Sequence, residues 1–347
     1  HMDFVLGTDA LDSLPDILSK INGEQNIKEK LEDIEWRTDI DYSIETRITH
    51  NSPQAFINVT KGCNNFCSYC IVPYTRGREK SRSLEEVCQD AKRLVEDKGI
   101  QEITLLGQNV NSFGKDKGET FAELLYRLND IENLKIIRYT TSHPYDMSDA
   151  LIKAHTDLDK LANHVHLPVQ SGSNTVLKRM NRKYTREHYL NLVRKLKNAN
   201  PNLVISTDII AGFPNETEKE HQDTLKLLEE DEFDFIYAYA FSPRPGTIAS
   251  KIEDVLDNKI RKKRLHEIQN LQLEIQNHIR QNLIGKRFEI LVEGKGKLQK
   301  QLNWKGRTSC MRIVHFTPEN TDEDYLWKWV SVEITSATAL SCQGRLY

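Results

Sequence analysis

From Pro53 onward the chain alternates between short apolar runs and longer stretches in which apolar residues return every three or four positions. The short runs, at residues 55–59, 103–106, 136–140, 164–169, 203–210 and 235–241, predict strands, and the stretches between them predict helices. In the stretch 84–97, Leu84, Val87, Ala91, Leu94 and Val95 fall on one helical face. Ser83 with Glu86 three residues later predicts a capping box, and Gly99 stands where a helix-ending glycine belongs. Cys88 lies beside that apolar face and reads as a core thiol.

This alternation is the pattern of repeated βα units. Six units fit into roughly 200 residues, whereas a complete eightfold barrel takes about 250. The predicted class is therefore α/β, a partial (β/α)6 TIM-like barrel, with a doubly wound open sheet as the alternative. Either architecture puts chemistry at the carboxyl ends of the strands. A long helix is predicted from near residue 252, with Leu265, Ile268, Leu271, Ile275 and Ile279 on a stripe and Gly285 at its end. Beyond it, residues 286–347 alternate in strand fashion and predict a small OB-like β-barrel, a type that often carries nucleic acid. Residues 3–50 are polar apart from one amphipathic piece (Leu11, Leu14, Ile17, Leu18, Ile21).

A length of 347 residues accommodates one large domain and a small one. No apolar run approaches the ~20 residues of a membrane span, and no leader is evident, so a soluble, cytoplasmic enzyme with no membrane partner is the expectation. The opening His1-Met2 reads as a cloning remnant, and the chain as a piece of something longer. Net charge is −3, yet residues 286–312 hold eight Lys/Arg against two acids. That asymmetry fits a nucleic-acid surface, with a solvated basic face as the plain alternative. Six cysteines in a chain of this type point to metal binding, catalysis or burial before disulfides. Three of them crowd into eight residues, while Cys88, Cys310 and Cys342 are scattered.

The crowded three follow the first predicted strand: Gly62-Cys63-Asn-Asn-Phe-Cys67-Ser-Tyr69-Cys70, a C-x-x-x-C-x-x-C spacing with no fourth cysteine near. Structural zinc sites close with four ligands, and ferredoxin-like clusters take four cysteines. Three thiolates in one loop suit a 4Fe-4S cluster with one iron left open to a cofactor. With the amino and carboxylate groups of S-adenosylmethionine (SAM) on that iron, one electron passed to the sulfonium releases methionine and a 5′-deoxyadenosyl radical. The competing reading is a zinc loop completed by His143 or His164.

The loop resembles that of the radical SAM superfamily, in which the aromatic residue at the position of Tyr69 lies against the SAM adenine. Further blocks resemble the MiaB family, the tRNA-2-methylthio-N6-dimethylallyladenosine synthases: Cys70-Ile-Val-Pro-Tyr-Thr-Arg-Gly-Arg-Glu79, Leu105-Leu-Gly-Gln-Asn-Val-Asn111, Thr141-Ser-His-Pro144, His166-Leu-Pro-Val-Gln-Ser-Gly172, Arg179-Met-Asn-Arg182, Thr207-Asp-Ile-Ile-Ala-Gly-Phe-Pro214 and Ser242-Pro-Arg-Pro-Gly-Thr247. The tail, with Gly306-Arg307-Thr308, resembles the family's tRNA-gripping TRAM domain.

The resemblance implies placement of a methylthio group on carbon 2 of N6-isopentenyladenosine beside the tRNA anticodon. One SAM donates methyl and a second is cleaved to the radical. It also implies a second 4Fe-4S cluster on three further cysteines in an N-terminal domain, an electron donor such as flavodoxin or ferredoxin, and a sulfur source. No cysteine precedes Cys63. The expectation is a remnant of the N-terminal domain and linker at 1–50, a radical SAM core at 51–284 and a TRAM domain at 285–347, retaining SAM cleavage and the anticodon stem-loop grip but lacking the auxiliary cluster. Asn215 stands where the family usually has glycine. A methylthiotransferase for threonylcarbamoyl-adenosine or for a ribosomal protein is the alternative within the class. A non-catalytic, zinc-containing tRNA-binding module is the alternative outside it.

Strand-end polar residues have the placement to meet SAM: Gln108 and Asn109, Gln170 and Ser171, Asp208 and Gly212. Arg182 offers a guanidinium fork for its carboxylate. The plain alternative makes these loop caps and turn residues, with Gly212 present for its backbone freedom. His166 reads as a satisfied core histidine, and no residue is singled out as an acid or base. Arg76 and Arg78 favour the reduced cluster, meet substrate phosphates, or form a surface pair. In the tail, Lys305, Arg307 and Arg312 supply phosphate charge and Trp304 a stacking ring. Trp327 and Trp329 are candidates for the barrel core.

Overall fold

The structure is a computed structural model. It describes residues 4–7, 10, 13–23, 31–34, 52–231, 233–298, 301–318 and 323–347. Six parallel strands form its centre: β1 (Gln54–Asn58), β2 (Glu102–Leu106), β3 (Ile136–Tyr139), β4 (His164–His166), β5 (Val204–Ala211) and β6 (Phe235–Ala240). Ladders join β1 to β2, β2 to β3, β4 to β5 and β5 to β6. Between β3 and β4 the link is a single parallel bridge, Ile137 to Leu161, flanked by hydrogen bonds from Ile137 N to Lys160 O (2.8 Å) and Ala162 N to Ile137 O (2.9 Å). Spatial order therefore follows chain order. A doubly wound sheet reverses direction at a switch point, and this wall does not, so the partial barrel is the architecture.

A covering helix follows each strand: α1 (Leu84–Lys98), α2 (Phe121–Asn129), α3 (Asp149–Asp157), α4 (Arg186–Ala199), α5 (Glu218–Asp231) and α6 (Asn258–Gln281), with short helices at Val72–Thr75 ahead of α1 and Asn174–Arg179 ahead of α4. They cover the outer face, where Ile57, Ile103, Leu105, Ile137, Val165, Ile205 and Ile209 pack with Val87, Ala91, Leu94, Leu124 and Leu192 in one buried core. Ser83 and Glu86 close the predicted capping box, with Ser83 N donating to Glu86 Oε2 at 2.8 Å. Gly99 ends the helix in the left-handed region at φ 67°. The last helix starts at Asn258 instead of near 252, because Asp257 accepts from Lys259 N (3.0 Å) as its cap, and residues 249–251 form a separate 3-10 turn.

The inner face differs in kind from a complete barrel, whose interior fills with aliphatic layers. Ladder register puts Thr104 between Phe56 and Arg138, His166 beside Ser206, and Asp208 beside Tyr237. Phe56, Tyr237 and Tyr239 are each more than half exposed. This wall lines a space and does not fill one.

The tail closes into a five-stranded barrel: β7 (Arg287–Leu298), β8 (Gln301–Thr308), β9 (Ile313–Phe316), β10 (Trp329–Ala337) and β11 (Cys342–Leu346), in the order β7-β8-β9-β11-β10. Its own core holds Ile290, Val292, Trp304, Val314, Phe316, Tyr325, Val332 and Ile334. It docks on the amino-terminal ends of the central strands. Arg138, paired with Glu102, donates to Ser309 O (2.5 Å) and Thr308 O (3.2 Å). Trp329 Nε1 donates to Gln101 Oε1 (2.7 Å), and Gln54 Nε2 to Glu293 Oε1 (3.4 Å). Asp234, just ahead of β6, pairs with both Arg280 of α6 and Arg312 of the barrel.

Ahead of the core, Phe4–Leu6 pairs in parallel with Leu31–Asp33 around a helix at Leu14–Gly23. Ile17 of the amphipathic piece is buried. Leu11 and the His1-Met2 opening lie outside the described residues. Among the described residues no helix is long and apolar enough to cross a membrane.

Candidate active site

The cysteine loop leaves the carboxyl end of β1 and is pinned from several sides. Gly62 holds φ at +75°, and a Cβ there would lie 2.2 Å from Arg78 O, so only glycine fits. Gln108 Oε1 accepts from Gly62 N at 2.6 Å. Ser68 donates its N to Met180 O (3.0 Å) and its Oγ to Arg179 O (2.8 Å), and Asn181 Nδ2 donates to Phe66 O (2.8 Å). Segment 179–182 thus staples the loop in place.

All three cysteines are half-buried and unpaired. Burial pushes the Cys63 thiol up to about 11, and raises that of Cys70 as well. Among the described residues no three His, Cys, Asp or Glu side chains converge on a point that one ion would fill. A cubane seats each thiolate on a different iron and does not require that convergence. Of the two histidines weighed as a fourth ligand, His164 sits at the amino end of β4 with Nε2 2.9 Å from Ser206 Oγ. His143 accepts from Tyr145 N through Nδ1 (3.2 Å), and burial, with Arg182 adding to it, lowers its pKa to about 2.

Arg182 is the decisive neighbour. It is 8% exposed. Its Nε donates to Tyr184 Oη (2.7 Å), Nη2 to Pro168 O (2.6 Å) and Nη1 to Cys67 Sγ (3.4 Å). A buried guanidinium facing neutral acceptors and a thiol costs several kcal/mol unless an anion completes it. Thiolates carrying a cluster are that anion, so the donor set fits the group. For SAM, the mouth offers buried polar atoms without partners among the described residues: Thr60 Oγ1 past β1, Asn109 Oδ1 past β2, and Ser142 Oγ and His143 Nε2 past β3. Buried polar atoms are rarely left unmatched, and a polar ligand at the strand ends would match them.

The structure divides the remaining expected residues. Tyr69, within the loop, is half-buried and packs against a cluster of Val176, Met180, Phe213, Phe241 and Ala249. Asn109 donates to Asp146 Oδ2 (2.7 Å) and keeps its oxygen free. Gln170 sits at the end of β4 with φ +75°, a strained setting typical of sites. Asp208 faces the inner wall, 3.3 Å from His166 Nε2. His166 also lies 2.8 Å from Ser206 Oγ and meets the Tyr237 ring edge-on, so it lines the space instead of sitting in the core.

Several expectations are corrected. Gln108 is used up as a loop clamp. Ser171 is fully buried and bonded to Thr224 Oγ1 and Ser173 N, which makes it a turn residue. Gly212, at φ +67°, is filled from behind by Arg261, whose Cγ would lie 2.4 Å from an added Cβ. Arg182 donates to Tyr184, Pro168 and Cys67 and has no carboxylate partner among the described residues. In the barrel, Trp304 is core, edge-on to Tyr325 at 5.8 Å, and offers no stacking face. Arg312 is held in the seam by Asp234. Arg307 remains partly exposed but pairs with Glu293 (2.9 Å), and Lys305 is half-buried with no ion pair among the described residues. Trp327 occupies a turn with φ +61°, and Trp329 the seam.

Sequence reasoning missed the exposed stack at the loop rim, where Arg78 lies 4.3 Å over Phe66, itself edge-on to Tyr74. It also missed the aromatic inner wall, although the alternation Phe235, Tyr237, Tyr239 carried the signal.

Comparison with known proteins identifies the family. Residues 57–228 match the Radical SAM superfamily. A tRNA-2-methylthio-N(6)-dimethylallyladenosine synthase of Thermoanaerobacter sp. (strain X514) is 45% identical over 348 residues, covering 100% of this chain and 72% of that protein. The protein of the same name from Acetivibrio thermocellus is 41% identical, covering 100% and 71%. Among solved structures, coproporphyrinogen III oxidase (HemN) from Escherichia coli, a radical SAM enzyme, aligns with a TM-score of 0.49 at 16% identity, covering 65% of this chain and 54% of that one. On the identity and coverage of its relatives, the chain belongs to the radical SAM family of tRNA-2-methylthio-N(6)-dimethylallyladenosine synthases.

Proposed function

We propose that this chain binds a 4Fe-4S cluster through Cys63, Cys67 and Cys70, cleaves SAM reductively, and serves the 2-methylthiolation of N6-isopentenyladenosine next to a tRNA anticodon. The observation that carries the proposal is Arg182, a buried cation aimed at Cys67. The substrate follows from the names of relatives sharing 41–45% of its residues. When bound, the cluster would supply one electron to the sulfonium of SAM, breaking its C–S bond to give methionine and a 5′-deoxyadenosyl radical.

The chain's own residues do the rest. Gln108 and segment 179–182 fix the loop, and Tyr69 flanks it. Asn109, Ser142 and His143 present free polar atoms to the amino acid and ribose parts of SAM. The inner wall, with Phe56, Tyr237 and Tyr239, receives an aromatic base. Lys305 and Arg307 of the barrel add phosphate contacts. Flavodoxin or ferredoxin serves as reductant, and a sulfur source feeds the methylthio step.

Anaerobic iron and sulfide reconstitution, then dithionite and SAM, tests the reading. A brown protein that releases 5′-deoxyadenosine is expected. Tightly held colourless zinc, or full iron loading with no 5′-deoxyadenosine, refutes it.

A further inference from the structure

We infer that Arg182 is the internal counter-charge of the cluster and sets its reduction potential, acting on the Cys67 thiolate and not on the carboxylate of SAM. This rests on the proposed function in one respect, that a cluster occupies the loop.

The comparison that carries the inference lies within the chain. Five arginines are buried among the described residues: Arg138, Arg182, Arg261, Arg264 and Arg280. Four of them have a carboxylate. Arg138 pairs with Glu102, Arg261 with Asp254, Arg264 with Glu216 and Arg280 with Asp234. Arg182 alone has none, and its third contact is sulfur. A protein that gives every other buried guanidinium an acid leaves this one for an anion that arrives from outside the sequence.

Geometry fixes which anion. Tyr184 Oη and Pro168 O take Nε and Nη2, which orients the fork and leaves Nη1 facing Cys67 at 3.4 Å. The segment that carries Arg182 is also the one that staples the loop, through Arg179 O, Met180 O and Asn181. The charge cannot drift from the sulfur without the loop coming loose. Arg76 and Arg78, by contrast, are exposed, where solvent screens them.

Reduction adds one negative charge to the cluster. A cation at hydrogen-bond distance from a ligand sulfur favours that state, and hydrogen bonds to sulfur are among the known levers on such potentials. Removing the charge therefore moves the midpoint to more negative values. Relaying a charged donor at this distance through a partly polar interior corresponds to a ten- to hundredfold change in the reduction equilibrium, or about 60–120 mV at ~59 mV per decade.

The experiment is an EPR-monitored redox titration of the reconstituted wild-type protein, Arg182→Gln and Arg182→Lys, with SAM affinity measured on the same samples. The Gln variant is expected 60–120 mV more negative (~59 mV per decade), with Lys recovering at least half the shift and SAM affinity within about twofold for both. An unshifted midpoint combined with a tenfold loss of SAM affinity in Arg182→Gln overturns the inference and returns Arg182 to the SAM carboxylate. If Arg182→Gln takes up no iron, wild-type protein labelled with 15N-guanidino arginine decides the matter. Pulsed EPR of the reduced cluster without SAM should show coupling to an arginine nitrogen, and its absence overturns the inference. Failure of the wild-type protein to take up iron at all is a different outcome, which refutes the proposed function instead.

Discussion

Asp234→Asn tests whether the seam between core and barrel is as dry as its side chains suggest. The carboxylate is 4% exposed, the Arg280 side chain 1% and that of Arg312 12%, and one acid is shared as counter-ion by both cations. Asparagine preserves the shape and leaves the buried Arg280 and the partly buried Arg312 without their counter-ion. Removing one partner of a buried ion pair costs about 3–5 kcal/mol, because the other charge stays behind. At roughly 3 kcal/mol per molar urea, the unfolding midpoint should fall by about 1–2 M. The backbone carbonyl of residue 234, which accepts from Gln276 Nε2 at 2.9 Å, is unaffected, so the loss reports the charges. Hydrogen exchange should show β9 and β10 deprotected ahead of the central strands, since barrel and core part at this seam. Arg312→Met, which leaves Asp234 paired with Arg280, should cost clearly less. A loss below about 1 kcal/mol, the range of solvated surface pairs, would show that water already enters the seam, and the reasoning would fail.

Acid should weaken the fold in a defined window. Burial lowers the His155 pKa to about 4 and that of His164 to about 3, both below the unfolded value of 6.5. Stability from the neutral rings is complete above pH 6.5 and declines as pH falls toward those values, because the unfolded chain takes up protons first. Each ring should cost about 2 kcal/mol by pH 5, and His155→Gln should flatten the stability profile there; an unchanged slope refutes it. For RNA, Lys305→Ala and Arg307→Ala should each shallow the salt dependence of anticodon stem-loop binding by about one unit, with the smaller loss of affinity at Arg307, which Glu293 already engages. Equal binding and slope in fluorescence anisotropy would remove both from the contact surface.

Much of this was legible in the chain. The short apolar runs at residues 55–59 and 103–106 located strands because their outward residues, Ile57, Ile103 and Leu105, are obliged to bury against helices. The Ser83–Glu86 box was readable because a cap is a local event. The cysteine trio stood out because the spacing of residues in one loop is visible in one dimension. What failed were inferences about direction. Arg312 and Trp304 sit in a basic, alternating segment, and alternation does not say which face of a closed barrel is inside or which end meets another domain. Ser171 and Gly212 stand at strand ends as ligands would, yet Thr224 and Arg261, some fifty residues away in sequence, pack against them. Arg182 was recognised as a cation, but its hydrogen bond to Cys67 Sγ was not, since only the folded chain brings residue 182 to the cysteine loop.

The lining of the half-barrel has a consequence for how such a protein changes over time. Cohesion resides in the helix-covered side of each strand, through residues such as Ile57 and Ile209. Phe56, Tyr237 and Tyr239 contribute little to it. Evolution can therefore rewrite one side of the wall while the other keeps the domain folded, and descendants of a single scaffold can accept different bases, or something other than a base, without first surviving a loss of structure.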